Sequence, residues 1–130
     1  MRDEAIQLVA DFLRKHTTWE SKANDLKGPD LIVATMANNI NAARVFLALG
    51  CHPDAKNESG QTALVYAAIY GYADFVKLFL KHGADPNAAD VHGGTPTSYA
   101  NERINKKYPE YEEIYNLLVK HGGNSTAKNR

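Results

Sequence analysis

The chain repeats itself at an interval of 33 residues. Gly60-Gln61-Thr62 returns as Gly93-Gly94-Thr95, 33 positions on (60 to 93). Leu47-Ala48-Leu49-Gly50 returns as Leu80-Lys81-His82-Gly83 at the same interval, with Pro53 matched by Pro86 and Asn57 by Asp90. His82-Gly83 recurs as His121-Gly122 after 39 positions (82 to 121), so the last unit is longer by about six residues. A period of this size marks a stack of small units, none of which can hide its apolar face alone.

The middle unit shows what each layer contains. Asn57-Glu58-Ser59-Gly60-Gln61 is polar and suits a tight turn. Thr62 suits a helix start, where its hydroxyl can accept from a free backbone N–H. Leu64, Ala67 and Ala68 then share one helical face, and the small alanines admit a neighbouring helix closely. Gly71 can end this helix in a left-handed conformation. A second helix begins near Ala73, with Phe75, Val76, Leu78, Phe79 and Leu80 as its apolar face. Gly83 stops it and Pro86 prevents it from resuming.

This unit resembles the ankyrin repeat. Asn57, Gly60, Thr62, Leu64, Ala67, Ala68, Gly71, Leu80, Gly83, Ala84, Asp85 and Asn87 match the family pattern. The resemblance covers about residues 24–124 and implies an all-α solenoid of stacked helix-turn-helix units. The reading is one domain over 1–124, with repeats at 24–56, 57–89 and 90–124 and a frayed polar tail at 125–130. Residues 1–23 form a capping helix and its connection. Ile6, Val9, Ala10 and Leu13 recur at helical spacing there.

The outer units depart from the pattern. In the first, Leu31, Ala34 and Thr35 align with Leu64, Ala67 and Ala68, and Asn38 stands where Gly71 does. Asn tolerates a left-handed backbone better than most residues. In the third, Thr97 takes the usual Leu position and Ser98 the usual His. The extra residues, within 101–112, carry Arg103, Lys106 and Lys107 and run into Glu110, Glu112 and Glu113. Mixed charge of this kind reads first as solvated surface. Pro109 suits the first turn of the last helix.

Composition excludes several function classes. Fifteen basic and fifteen acidic residues give a formal net charge of zero, without the basic excess of a dedicated nucleic-acid binder. No run of about 18 apolar residues is present to span a membrane, and no secretory signal opens the chain. The expectation is a cytoplasmic monomer. Zero net charge leaves weak self-association open. A single cysteine, Cys51, permits no intrachain disulfide.

Catalytic and metal-binding patterns do not emerge. Gly93-Gly94-Thr95 lacks the longer phosphate-loop pattern and its lysine. His16, His52, His82, His92 and His121 have no spacing suited to zinc, and His82 and His121 read as polar residues at equivalent helix ends. Cys51 aligns with Ala84, a position for a small packed residue. The chain is therefore expected to be no enzyme and to need no cofactor or metal. A hidden Cys51/His site is the opposing hypothesis, and it needs a pocket in which those groups converge.

What remains is recognition of another protein. Residues free of packing duty can vary to suit a partner, and the family uses its loop tips and the inner face of each first helix. Carried onto this chain, that implies Glu58, Ser59, Gln61, Tyr66, Ile69 and Tyr70 in the middle unit. It implies Val91, His92, Glu102 and Arg103 in the third, and Asp25, Leu26 and Met36 in the first. Tyrosine provides large contact area at low entropic cost, so Ile69 and Tyr70 form the expected centre. The expected role is a small adaptor or inhibitor. Neutralising a toxin or enzyme by occupancy, as an immunity protein does, is one form of it.

Overall fold

The computed structural model describes residues 29–124 except 106. The expected capping helix, residues 24–28 and the tail at 125–130 lie outside the described residues. Six helices follow in order: α1 Pro29–Met36, α2 Ile40–Ala48, α3 Ala63–Tyr70, α4 Ala73–Lys81, α5 Pro96–Glu102 and α6 Glu110–Lys120. No strand occurs among the described residues. Each odd-numbered helix packs on the next even one as a pair. The odd helices also pack on one another, as do the even ones. The result is a two-layered stack of three helix pairs.

The small residues decide how closely the first layer packs. Ala34, Ala67 and Ala100 repeat at 33 residues, and each is buried. Leu31 and Leu64 fill the adjoining position at 0% exposure. Phe75, Val76 and Phe79 of α4, with Ile114 and Leu118 of α6, carry the same core into the second layer. At the third unit's Leu position, Thr97 is buried and its Oγ1 donates to the Pro86 carbonyl at 2.9 Å. Gly123 fits against it, because a Cβ there would strike Thr97 Oγ1 and the Leu118 carbonyl. The smaller side chain and the glycine are thus complementary.

Local chemistry starts and stops the helices. Thr62 and Thr95 are the N-caps of α3 and α5, in the same extended conformation on successive layers. Thr62 Oγ1 accepts from Val65 N at 3.3 Å, and Thr95 Oγ1 from Ser98 N at 3.0 Å. Ser98, a departure from the family pattern, closes a capping box by accepting from Thr95 N at 2.8 Å. Gly71 ends α3 at φ 78°, and Asn38 occupies the equivalent turn at φ 55°. Pro109 precedes the first helical residue of α6 as its N-cap.

Polar staples join the layers along the loops. Asp54 Oδ1 accepts from Asp85 N at 2.8 Å. One repeat later, Asn87 accepts from Asn124 N at 2.8 Å and donates to the Gly122 carbonyl at 2.9 Å. Lys56 Nζ donates to the Ala89 carbonyl at 3.0 Å. Turn tips also join directly, Val91 N donating to the Ser59 carbonyl at 3.1 Å.

Each of the two complete turns is latched by a tyrosine. Tyr66 Oη donates to Gln61 Oε1 at 2.7 Å, and Asn57 Nδ2 donates to Tyr66 Oη at 3.2 Å. In the next unit Gly94 replaces Gln61, and the Tyr99 ring lies where a Cβ on Gly94 would be. Tyr99 Oη therefore reaches Asp90 directly, at 2.5 Å. Asp90 also accepts from His92 N and Gly94 N, both at 2.9 Å. Burial tends to raise the Asp90 pKa, but these hydrogen bonds and the nearby His92 outweigh it and the value falls below the usual 3.8. The bond to Asp90, aided by burial, pushes Tyr99 up to about 12.

Two predictions follow from these contacts. Gly83 is left-handed with open space around it, whereas a Cβ on Gly71 would meet Tyr111 and Glu110. Gly83→Ala should cost about 1–2 kcal/mol for the backbone conformation alone. Gly71→Ala should cost more, and equal shifts in urea midpoint would contradict this packing. The tyrosine latch has a sign in pH. Because Tyr99 is raised, its contribution to stability is complete below pH 10 and is lost as pH climbs towards about 12. Because Asp90 is lowered, its contribution is present above 3.8 and is lost as pH falls through the folded value beneath it. Tyr99→Phe should remove the alkaline component and diminish the acid one, because a bond that holds Asp90 below 3.8 is gone, as read from urea midpoints across pH.

Candidate protein-recognition surface

Because alanines occupy the helix contacts of the first layer, its larger side chains fall on the exposed face. The period aligns them in rows. Val33, Tyr66 and Tyr99 form one, and Met36, Ile69 and Glu102 the next. Ala37, Tyr70 and Arg103 form the third. Val33 is 58% exposed, Met36 51% and Tyr70 40%, while Ile69 and Tyr66 are half-buried. The face is apolar over the first two units and becomes charged at the third.

Tyr70 is built into the molecule from beneath. Its ring lies 6.1 Å from Tyr66 and 5.6 Å from Tyr72, centroid to centroid. Tyr72 continues to Phe75 at 5.6 Å, and Phe75 to Phe79 at 6.0 Å. An exposed ring is thereby connected, contact by contact, to the fully buried Phe79. Tilted aromatic pairs of this kind hold their partners in defined orientations.

The Ile69 carbonyl sits at the C-terminal end of α3, where helix carbonyls lack an intrahelical donor. Arg103 Nε donates to it at 3.1 Å and Tyr111 Oη at 2.9 Å. Both residues lie in the segment that holds the extra residues of the third unit, near its two ends, so that segment is pinned twice to the centre of the candidate surface. Within it, Asn105 Oδ1 accepts from Lys107 N at 2.8 Å and Tyr108 N at 3.0 Å. Ile104 and Tyr108 are left exposed at 38% and 46%.

The candidates from the sequence fall into three groups. Met36, Ile69, Tyr70, Glu102 and Arg103 come together on the exposed face, with Arg103 committed through Nε. Glu58, Ser59, Val91 and His92 are exposed at the stacked turn tips, and Gln61 and Tyr66 are tied to each other beside them. Asp25 and Leu26 lie outside the described residues. The sequence reading missed Val33, although its register 33 residues before Tyr66 marks it. It also missed Tyr108, in the insertion, and Tyr111, which stands 39 positions after Tyr72 (72 to 111).

Among the described residues, Cys51 and the helix-end histidines are placed as follows. Cys51 is buried at 4%, as is its counterpart Ala84 at 6%. The His82 ring contacts the Leu78 carbonyl through Nδ1 at 3.0 Å, and His121 repeats this with Leu117 at 2.9 Å. Among the described residues, no cluster of three or more His, Cys, Asp or Glu could hold a metal. No helix among them is long and apolar enough to cross a membrane.

Comparison with known proteins agrees with this architecture. A family model described as ankyrin repeats, three copies, matches residues 31–129. An ankyrin repeat protein of Fowlpox virus (strain NVSL) is 33% identical over 92 residues, covering 71% of this chain and 12% of that protein. An ankyrin repeat-containing protein of Schizosaccharomyces pombe is 27% identical over 101 residues, covering 78% of this chain and 45% of its own length. One from Treponema pallidum is 27% identical over 100 residues, 77% of this chain and 34% of that protein. The chain thus spans less than half of each of these relatives. Ankyrin repeats generally mediate protein–protein interaction, and homologues built from them are typically non-enzymatic binding modules. With three repeats matched and the stack described, this chain belongs to the ankyrin repeat family.

Proposed function

We propose that the chain is a small adaptor or inhibitor that docks on one partner protein through the concave side of its stack, with Ile69 and Tyr70 at the centre. The observation that carries this reading is the exposure of Val33, Met36 and Tyr70 on helices whose other faces are buried. A contiguous apolar patch on an otherwise well-packed domain marks an interaction site. Tyr70 resembles a binding hot spot in type and setting: a large ring, supported beneath by other rings, with polar groups around it. The turn tips bearing Glu58, Ser59, Val91 and His92 form the rim. The protein acts in the cytoplasm as a monomer, and its effect comes from occupying the partner's surface. Buried Cys51 has no part in it.

The test is an Ile69→Ala/Tyr70→Ala double variant, checked for native helix content by circular dichroism. Capture of partner from a lysate of the source organism, followed by titration, should show affinity lower by about 30-fold or more, as expected for two central residues. Val119→Ala, on α6, is the control and should bind like the parent. Parent-like affinity in the double variant would remove the proposal.

A further inference from the structure

We infer that the occupant of this face is an extended segment of a partner protein carrying an aliphatic or aromatic anchor at one end and a carboxylate at the other. This rests on the docking face proposed above and adds the chemistry of what it takes up. The rows change character along the stack. Val33, Met36 and Ala37 make the first unit apolar, whereas the third ends in Arg103 and the insertion behind it. Arg103 is fixed by its Nε bond to Ile69, which leaves the Nη edge, the donor pair that matches a carboxylate. Lys107 Nζ stands 5.4 Å from the centroid of the Tyr108 ring. That ring meets Tyr111 edge-on at 6.4 Å, and Tyr111 is bonded to the same Ile69 carbonyl. One cation, Arg103, is therefore fixed at the centre of the face, and a second, Lys107, stands over a ring that packs on the other residue bonded there.

Of the neighbouring acids, Glu112 lies with Asn116 and Lys120 about a groove on α6, and the others are placed as follows. Glu102 has an interaction within the chain. Glu110 has its Cγ against Gly71 and lies in the first turn of α6, where the helix dipole favours it. Glu113 pairs with Lys77 at 3.2 Å. Charge complementarity on this edge thus selects an acidic group. The spacing follows from the stack. Adjacent helices lie about 10 Å apart, and an extended chain advances about 3.3 Å per residue. Anchor and carboxylate, two units apart, should be separated by about six residues.

The experiment is selection of a phage-displayed random peptide library on the full chain. Selected peptides should share Asp or Glu about six residues from an aliphatic or aromatic residue. A selected peptide, followed by fluorescence anisotropy, should bind about fivefold more weakly to Lys107→Glu, the size expected for an exposed charge pair. An Arg103→Glu/Lys107→Glu variant with a native dichroism spectrum should select basic residues at the same spacing. Arg103→Glu also breaks the bond to Ile69, so Lys107→Glu decides if the double variant does not fold. Peptides that lose binding in Ile69→Ala/Tyr70→Ala but show no acidic bias would overturn the inference and leave the docking face standing. Peptides indifferent to that double variant, or no selected peptides at all, would overturn both. Dimerisation in sedimentation analysis that the double variant abolishes would assign the face to a second copy and overturn the inference.

Discussion

Close approach of α1, α3 and α5 through Ala34, Ala67 and Ala100 is the constraint from which the rest of the molecule follows. Each helix pair has an apolar face that only a neighbouring pair can cover, so burial is a property of the stack and not of the unit. The approach tolerates small side chains alone at the contact. Bulk is displaced to two places: the second layer, where Phe75, Phe79, Ile114 and Leu118 fill the core, and the outward face of the first. The row of Val33, Tyr66 and Tyr99 is the consequence. An exposed surface suited to recognition arises as the geometrical complement of a tightly packed interior.

Repetition of the backbone does not require repetition of the means that hold it. The turn of the middle unit is closed by three side chains, Asn57, Gln61 and Tyr66. The turn of the third unit uses a shorter route, in which loss of the side chain at 94 lets Tyr99 reach the carboxylate of Asp90. Thr97 with Gly123 is a second exchange of this kind, while Ser98 adds a capping bond to an unchanged Thr95. In the first two cases a difference from the middle unit is met by one at a residue it touches, Gly94 by Asp90 and Thr97 by Gly123. The third unit is therefore differently built and equally complete.

This explains how much could be read from the residues alone. Thr62, Thr95, Gly71 and Asn38 act through their own backbones, so their roles were legible without knowledge of neighbours. The apolar faces of α3 and α4 were legible because periodicity is local. The partner of Thr97 was not, since Gly123 is brought to it only by the fold. Arg103 read as one charge in a mixed run and as a recognition candidate, and nothing in its surroundings along the chain points to the Ile69 carbonyl. The proposed centre at Ile69 and Tyr70 was reached from the family resemblance and residue type. The anchoring of the insertion to that centre is a long-range fact, absent from any local pattern.

The insertion's attachment also gives it a mechanical role. Adding a few residues to a connection costs little entropy, because the cost grows only with the logarithm of length. Left alone, such a loop would gain nothing from the stack. Here both of its ends are bound to one carbonyl that α3 cannot satisfy itself, so the loop and the helix end supply what the other lacks. The atom they share belongs to Ile69, whose side chain lies on the exposed row beside Tyr70. The last turn of α3 and the two ends of the loop therefore share one hydrogen-bonded point. Ile69 and the insertion are thus joined through one atom, which links the last turn of α3 to a segment of the third helix pair.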